Sequence, residues 1–93
     1  MSELVPVLTP TELIETIVRA FVDFPEQVSV EEVVSSDRGS ILFLRVDAAD
    51  SGKVIGEQRR MEKSLQDILR AESVRLRHRY ALKIIDDFDV DNV

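Results

Sequence analysis

The chain has 93 residues, of which 44 % are hydrophobic and 32 % charged, with a formal net charge of −6. That length and apolar share fit one small domain with a packed core and little stability to spare. The lack of cysteine excludes disulfides, thiolate catalysis, cysteine-ligated zinc and iron–sulfur clusters, and the acidic balance argues against a simple basic nucleic-acid binder.

Residues 1–8 read as a lead-in. Thr9-Pro10-Thr11-Glu12 is a helix start: Thr9 caps, Pro10 suits the first helical position, and Glu12 completes a capping box. Leu13, Ile14, Ile17, Val18, Phe21 and Val22 then form one apolar helical stripe, bounded by Pro25. Val28 and Val30 alternate with Ser29 and Glu31, which predicts a strand over about 27–34. The run from Ser35 to Ser40 reads as a turn. Ile41 to Val46 is the most apolar stretch and predicts a central strand paired with the first.

Residues 49–55 allow two turns of helix before Gly56 interrupts. From about Gln58 a long helix places Met61, Leu65, Ile68 and Leu69 on one face, with Arg59, Arg60, Lys63, Gln66 and Arg70 largely elsewhere. Its end is open to two readings, because a period-2 alternation begins as early as Val74. A strand is placed at 79–86 and 74–78 is left undecided. The order is α-β-β-α-α-β, an α+β layer of three strands backed by helices on one face.

Charge is partitioned along this order. Residues 1–50 carry −7, residues 51–85 carry +5, and residues 86–93 carry −4. A basic segment between acidic ones is a hint of nucleic-acid contact, set against the plainer reading of a solvated helix face. Within it, Gly52 to Arg60 would place a glycine turn before a helix N-terminus, whose free N–H groups and dipole attract phosphate. Lys53, Arg59, Arg60 and Lys63 would add positive charge, and a turn with no ligand is the equal alternative. The spacing of a Walker-type phosphate loop is absent.

Two stretches, Val22-Asp23-Phe24-Pro25-Glu26-Gln27-Val28-Ser29-Val30-Glu31-Glu32-Val33 and Gly52-Lys53-Val54-Ile55-Gly56-Glu57-Gln58-Arg59-Arg60, resemble the small bacterial single-domain KH proteins of the KhpA-like family. The resemblance runs from about residue 11 to 85. It implies a type II-like single KH domain over 9–86, with 1–8 as lead-in and 87–93 as an acidic tail. It also implies a non-catalytic cytoplasmic protein that binds single-stranded RNA, serves as an RNA chaperone or post-transcriptional regulator, and needs no cofactor. The partners implied are a second copy of the chain, or a larger KH protein of the Jag type.

In KH domains a Gly-x-x-Gly loop clamps about four nucleotides of single-stranded RNA. Carried onto this chain, the loop is Gly56-Glu57-Gln58-Arg59, with Arg59 where the second glycine stands and Glu57 where a basic residue is more usual. A side chain there obstructs close backbone approach and a carboxylate repels phosphate, while the Arg59 guanidinium can pair with phosphate. The resemblance therefore implies RNA contact by Lys53, Ile55, Gly56, Glu57, Gln58, Arg59, Arg60 and Lys63, in a weakened form. Ile55, Leu44 and Val46 would line an apolar groove beneath the bases. The alternative is a KH fold repurposed for protein–protein contact or dimerisation.

Other candidates are weaker. Phe43 and Tyr80 read as core or edge residues rather than stacking platforms. His78, the single histidine, reads as a surface residue at a strand entry rather than part of a catalytic triad. The carboxylates from Asp86 to Asp91 lack the glycine and closing glutamate of a calcium loop, and read as a solvated or partner-docking tail. No apolar run reaches the roughly 20 residues of a bilayer span, and Met1-Ser2-Glu3 lacks the basic opening of a signal peptide. A soluble cytoplasmic protein without membrane contact is the expectation.

Overall fold

The computed structural model describes residues 8–51 and 60–85. Helix α1 spans Pro10–Arg19 and opens on the expected capping box. Thr9 Oγ1 accepts from the Glu12 N–H at 3.1 Å, and Glu12 Oε1 accepts from the Thr9 N–H at 2.9 Å. The helix ends before Phe21 and Val22, earlier than the apolar stripe predicts. The Ala20 and Phe21 N–H groups bond to the Ile17 and Val18 carbonyls in a tightened last turn. Val22 is nevertheless buried and Phe21 packs on the core, so the stripe marks burial beyond the helix itself.

A short 3₁₀ turn over Pro25–Gln27, closed by the Val28 N–H on the Pro25 carbonyl, delays strand β1 to Ser29–Ser36. Strand β2 spans Gly39–Arg45. The six-residue turn expected between them shrinks to Asp37-Arg38, with an irregularity between Val34 and Ser36. Such a two-residue connection lets serines and a glycine join the ladder that composition assigns to a turn. A 3₁₀ turn at Ala48–Asp50 follows, capped by the Asp47 carboxylate on the Ala49 N–H at 2.9 Å. The helix predicted over 49–55 falls mostly outside the described residues.

Helix α2 spans Arg60–Leu76 and strand β3 spans Arg79–Ile85. The undecided stretch 74–78 is thus helical through Leu76. The alternation beginning at Val74 is not a strand signal, since the Val74 side chain projects outward at 77 % exposure. Strand β2 is central, as expected: β1 pairs with it antiparallel and β3 pairs with it parallel. The parallel pair needs a crossover, and α2 is part of it.

Both helices cover one face of the sheet. Ile14 and Val18 of α1, Leu65 and Leu69 of α2, and Leu42 and Leu44 of β2 form the buried centre, with Val22, Val28 and Val46 completing it. Burying each such side chain contributes about 1.5–3 kcal/mol. Val30, Leu82, Ile84 and Tyr80 flank this core from β1 and β3. On the outer face Glu31, Phe43 and Lys83 lie in register across the strands. Phe43 is half-buried there rather than in the core.

Candidate functional site

The basic side of α2 is present as expected. Arg60, Lys63 and Arg70 are exposed, while Leu65 and Leu69 point into the core and Met61 packs against it. Lys63 Nζ meets Asp67 at 3.9 Å and Arg70 meets the same carboxylate at 3.6 Å. These pairs are exposed, so they hold the side chains only loosely and can be displaced by another anion. Of the RNA-contact residues implied by the resemblance, only Arg60 and Lys63 can be located, one turn apart at the start of α2. Lys53, Ile55, Gly56, Glu57, Gln58 and Arg59 lie outside the described residues.

The groove wall expected at Leu44 and Val46 is corrected. Leu44 is wholly buried and Val46 is 5 % exposed, both inside the core under the helices. Side chains alternate along a strand, and these two fall on its helix-covered face. They can support a groove from below but cannot touch a base.

Asp50 is the charged residue that composition does not flag. Its side chain is fully buried, and it accepts the Asp23 N–H at 3.0 Å and the Phe24 N–H at 2.9 Å. A buried carboxylate needs such donors. Here it ties the loop after α1 to the 3₁₀ turn that leaves β2.

At the opposite end of the sheet, three polar side chains meet. Ser40, buried in β2, donates its hydroxyl proton to Glu32 Oε2 of β1 at 2.7 Å, and its oxygen lies 2.8 Å from His78 Nε2. With the serine proton given to the carboxylate, His78 must be the donor to Ser40. In a hydrolytic triad the histidine stands between serine and acid and takes the serine proton. In this order the serine stands between them, so the trio is a bracket between strands. His78 is indeed at the entry to β3, as expected, but half-buried and engaged rather than free on the surface.

The junction from α2 to β3 is built by neighbouring groups. Arg77 has φ = 53°, the left-handed conformation that closes a helix. The His78 N–H reaches back to the Ser73 carbonyl at 3.2 Å, as in a Schellman closure. Ser73 Oγ donates to the Leu69 carbonyl at 2.8 Å and accepts the Tyr80 N–H at 2.9 Å, so one hydroxyl joins helix end to strand. The His78 and Tyr80 rings lie 4.8 Å apart, tilted by 50°. Glu72 is held below the usual carboxylate range, chiefly by its hydrogen bonds from Arg75, both at 2.9 Å. Burial, with the negative charges of Glu32 and Glu72 nearby, pushes the Tyr80 phenol up from its ordinary value.

A cleft of about 620 Å³ opens between the second half of α2 and β3. Arg38, Arg70, Arg77 and Arg79 line it beside His78 and Tyr80, and among the described residues no carboxylate does. Only the pairing of α2 with β3, and of β3 with the β1–β2 turn, brings these arginines together. The Arg79 N–H bonds to the Arg38 carbonyl at 2.7 Å across that turn. The charge partition along the chain hints at basic character here, but it omits Arg38.

Among the described residues no helix is long and apolar enough to cross a membrane, and no group of His, Asp and Glu side chains is arranged to hold a metal ion.

A mixed three-stranded sheet covered on one face by helices, with a parallel central pair joined through a long basic helix, is the fold of a single KH domain. The family model for the KhpA/KhpB KH domain matches residues 11–84, and the chain belongs to that family. It is similar to proteins named RNA-binding protein KhpA. The one from Clostridium acetobutylicum is 39 % identical over 74 residues, covering 80 % of this chain and 97 % of the relative. That from Treponema pallidum is 46 % identical over 76 residues, covering 81 % and 92 % respectively. That from Halalkalibacterium halodurans is 41 % identical, covering 80 % and 96 %. No solved structure matches the chain.

Proposed function

We propose that this chain is a non-catalytic protein that binds single-stranded RNA. The observation that carries the reading is the family match, which runs through the whole of the Gly52–Arg60 segment. The names of the similar proteins point the same way. The contact residues of this reading are Lys53, Ile55, Gly56, Glu57, Gln58, Arg59, Arg60 and Lys63. Arg60 and Lys63 support it by standing exposed at the start of α2, where a phosphodiester chain could reach them.

Arg59 in place of the second loop glycine makes the contact weaker than that of an intact Gly-x-x-Gly clamp. The biological role we infer is that of a cytoplasmic RNA chaperone or post-transcriptional regulator. It would work as a homodimer or with a second KH protein, the latter supported by the paired name of the family.

Fluorescence anisotropy with short single-stranded RNA, repeated across salt concentrations, tests this. Binding that weakens steeply with salt, and that falls when Arg59 and Arg60 become alanine, is the expected result. No binding at all, together with a stable dimer or protein complex, would leave the protein-interaction reading instead. Arg59→Gly resolves the loop. Tighter binding marks the arginine as an obstruction, and weaker binding marks it as a phosphate contact.

A further inference from the structure

We propose that the arginine cleft between α2 and β3 is a second phosphodiester-binding subsite, which takes the continuation of an RNA strand held at the start of α2. This rests on the RNA reading above and adds a place and a length to it.

Charge carries the argument first. Arg38, Arg70, Arg77 and Arg79 come from three separate segments and converge on one opening. Two carboxylates of the flanking elements are engaged elsewhere, Glu72 with Arg75 and Glu32 with Ser40. Asp67 meets Arg70 only through an exposed pair at 3.6 Å. Arg38, Arg77 and Arg79 have no ion-pair partner among the described residues. Unpaired guanidiniums facing one concavity create a positive potential that favours an anion, and their planar forks fit phosphate oxygens.

Shape and path come second. A cleft of about 620 Å³ is in the size range that holds a small organic ligand. The His78 and Tyr80 rings offer an aromatic wall on which a base can stack. Lys63, Gln66 and Arg70 follow one another at helical spacing along a single side of α2, and Arg77 stands just past its end. That line leads from the start of the helix to the cleft, meeting its lining at Gln66 after about 9 Å and its far end at Arg77 after roughly 25 Å.

Backbone conformation comes third. Arg77 occupies a left-handed position, φ = 53°, where glycine or asparagine closes a helix without strain. An arginine there costs stability, and such positions persist where a side chain has a task. The task fitted by this geometry is to hold a cation at the cleft.

The test compares binding of two single-stranded RNAs, of about four and about twelve nucleotides, by the wild-type chain, Arg77→Gly and Arg38→Ala/Arg79→Ala. The wild type is expected to bind the longer strand more tightly and with a steeper salt dependence. Each variant should lower affinity for the longer strand several-fold and flatten its salt slope by about 0.7 per lost phosphate contact. Affinity for the shorter strand should stay the same. Arg77→Gly should melt no lower than the wild type, so its loss of binding cannot be blamed on unfolding. Equal binding of both lengths, or a longer strand indifferent to both variants, overturns the second subsite and leaves the loop reading standing. Failure of both strands to bind the wild type overturns both readings.

Discussion

The carboxylate of Asp50 and the main-chain N–H of Phe24, 26 residues apart, are joined by a hydrogen bond of 2.9 Å inside the protein. With the companion bond to Asp23 at 3.0 Å, it anchors the loop after α1 to the segment leaving β2. Asp50→Ala strands two N–H groups and is expected to cost about 2–4 kcal/mol, at 1–3 per unsatisfied group with partial relief by water. Asp50→Asn keeps one acceptor oxygen and should cost less. Urea unfolding measures both, and amide exchange at Asp23 and Phe24 should quicken before the rest of the molecule does.

The bracket of Glu32, Ser40 and His78 gives a second expectation. Ser40→Ala removes the hydroxyl that both partners share, and stability should fall by about 1–2 kcal/mol at neutral pH. His78→Gln tests the assignment of His78 as donor. A glutamine amide can donate to Ser40, so it should retain more stability than His78→Ala in thermal melts.

Tyr80 is the single tyrosine and the chain has no tryptophan, so its ionisation can be followed cleanly by tyrosinate absorbance. Burial is the main cause holding its pKa above the ordinary value, with Glu32 and Glu72 adding to it. The folded state therefore binds the phenolic proton more tightly than the unfolded chain. That contribution is fully present below the unfolded pKa of about 10 and is lost as pH rises through the folded value. The phenol should titrate later in the native protein than in urea. Tyr80→Phe should lessen the loss of stability at alkaline pH.

Leu69 of α2 and Leu42 of β2 both belong to the buried core, each 1 % exposed or less. Replacing either by alanine is expected to cost about 2–5 kcal/mol. A domain of this size has on the order of 5–10 kcal/mol in all. Either variant should unfold at much lower denaturant or be largely unfolded at room temperature. Val74→Ala, at an exposed position of α2, should leave stability within about 0.5 kcal/mol.

What could be read directly from the amino-acid order was local. The Thr9–Glu12 capping box, the apolar stripes of α1 and α2, the central place of β2, and the basic run after residue 51 depend on neighbours within a turn or a strand. The resemblance to KH proteins rests on the same kind of short-range pattern. Misreadings arose where a local signal had two solutions. The run from Ser35 to Ser40 reads as a turn, yet its serines and Gly39 join a tight hairpin, and the alternation from Val74 lies on a helix already closing at Arg77.

Tertiary structure alone decided the rest. Leu44 and Val46 lost their place in a groove because the helices lie over that face of the sheet. Asp50 became a buried anchor because a loop 26 residues away supplies its donors. The net charge of −6 describes the chain as a whole, yet its arginines do not meet as an average. The parallel pairing of β2 with β3 carries the end of α2 back to the β1–β2 turn, so Arg38 comes beside Arg79. Distances in space, and not separations along the chain, set the potential that an anion meets.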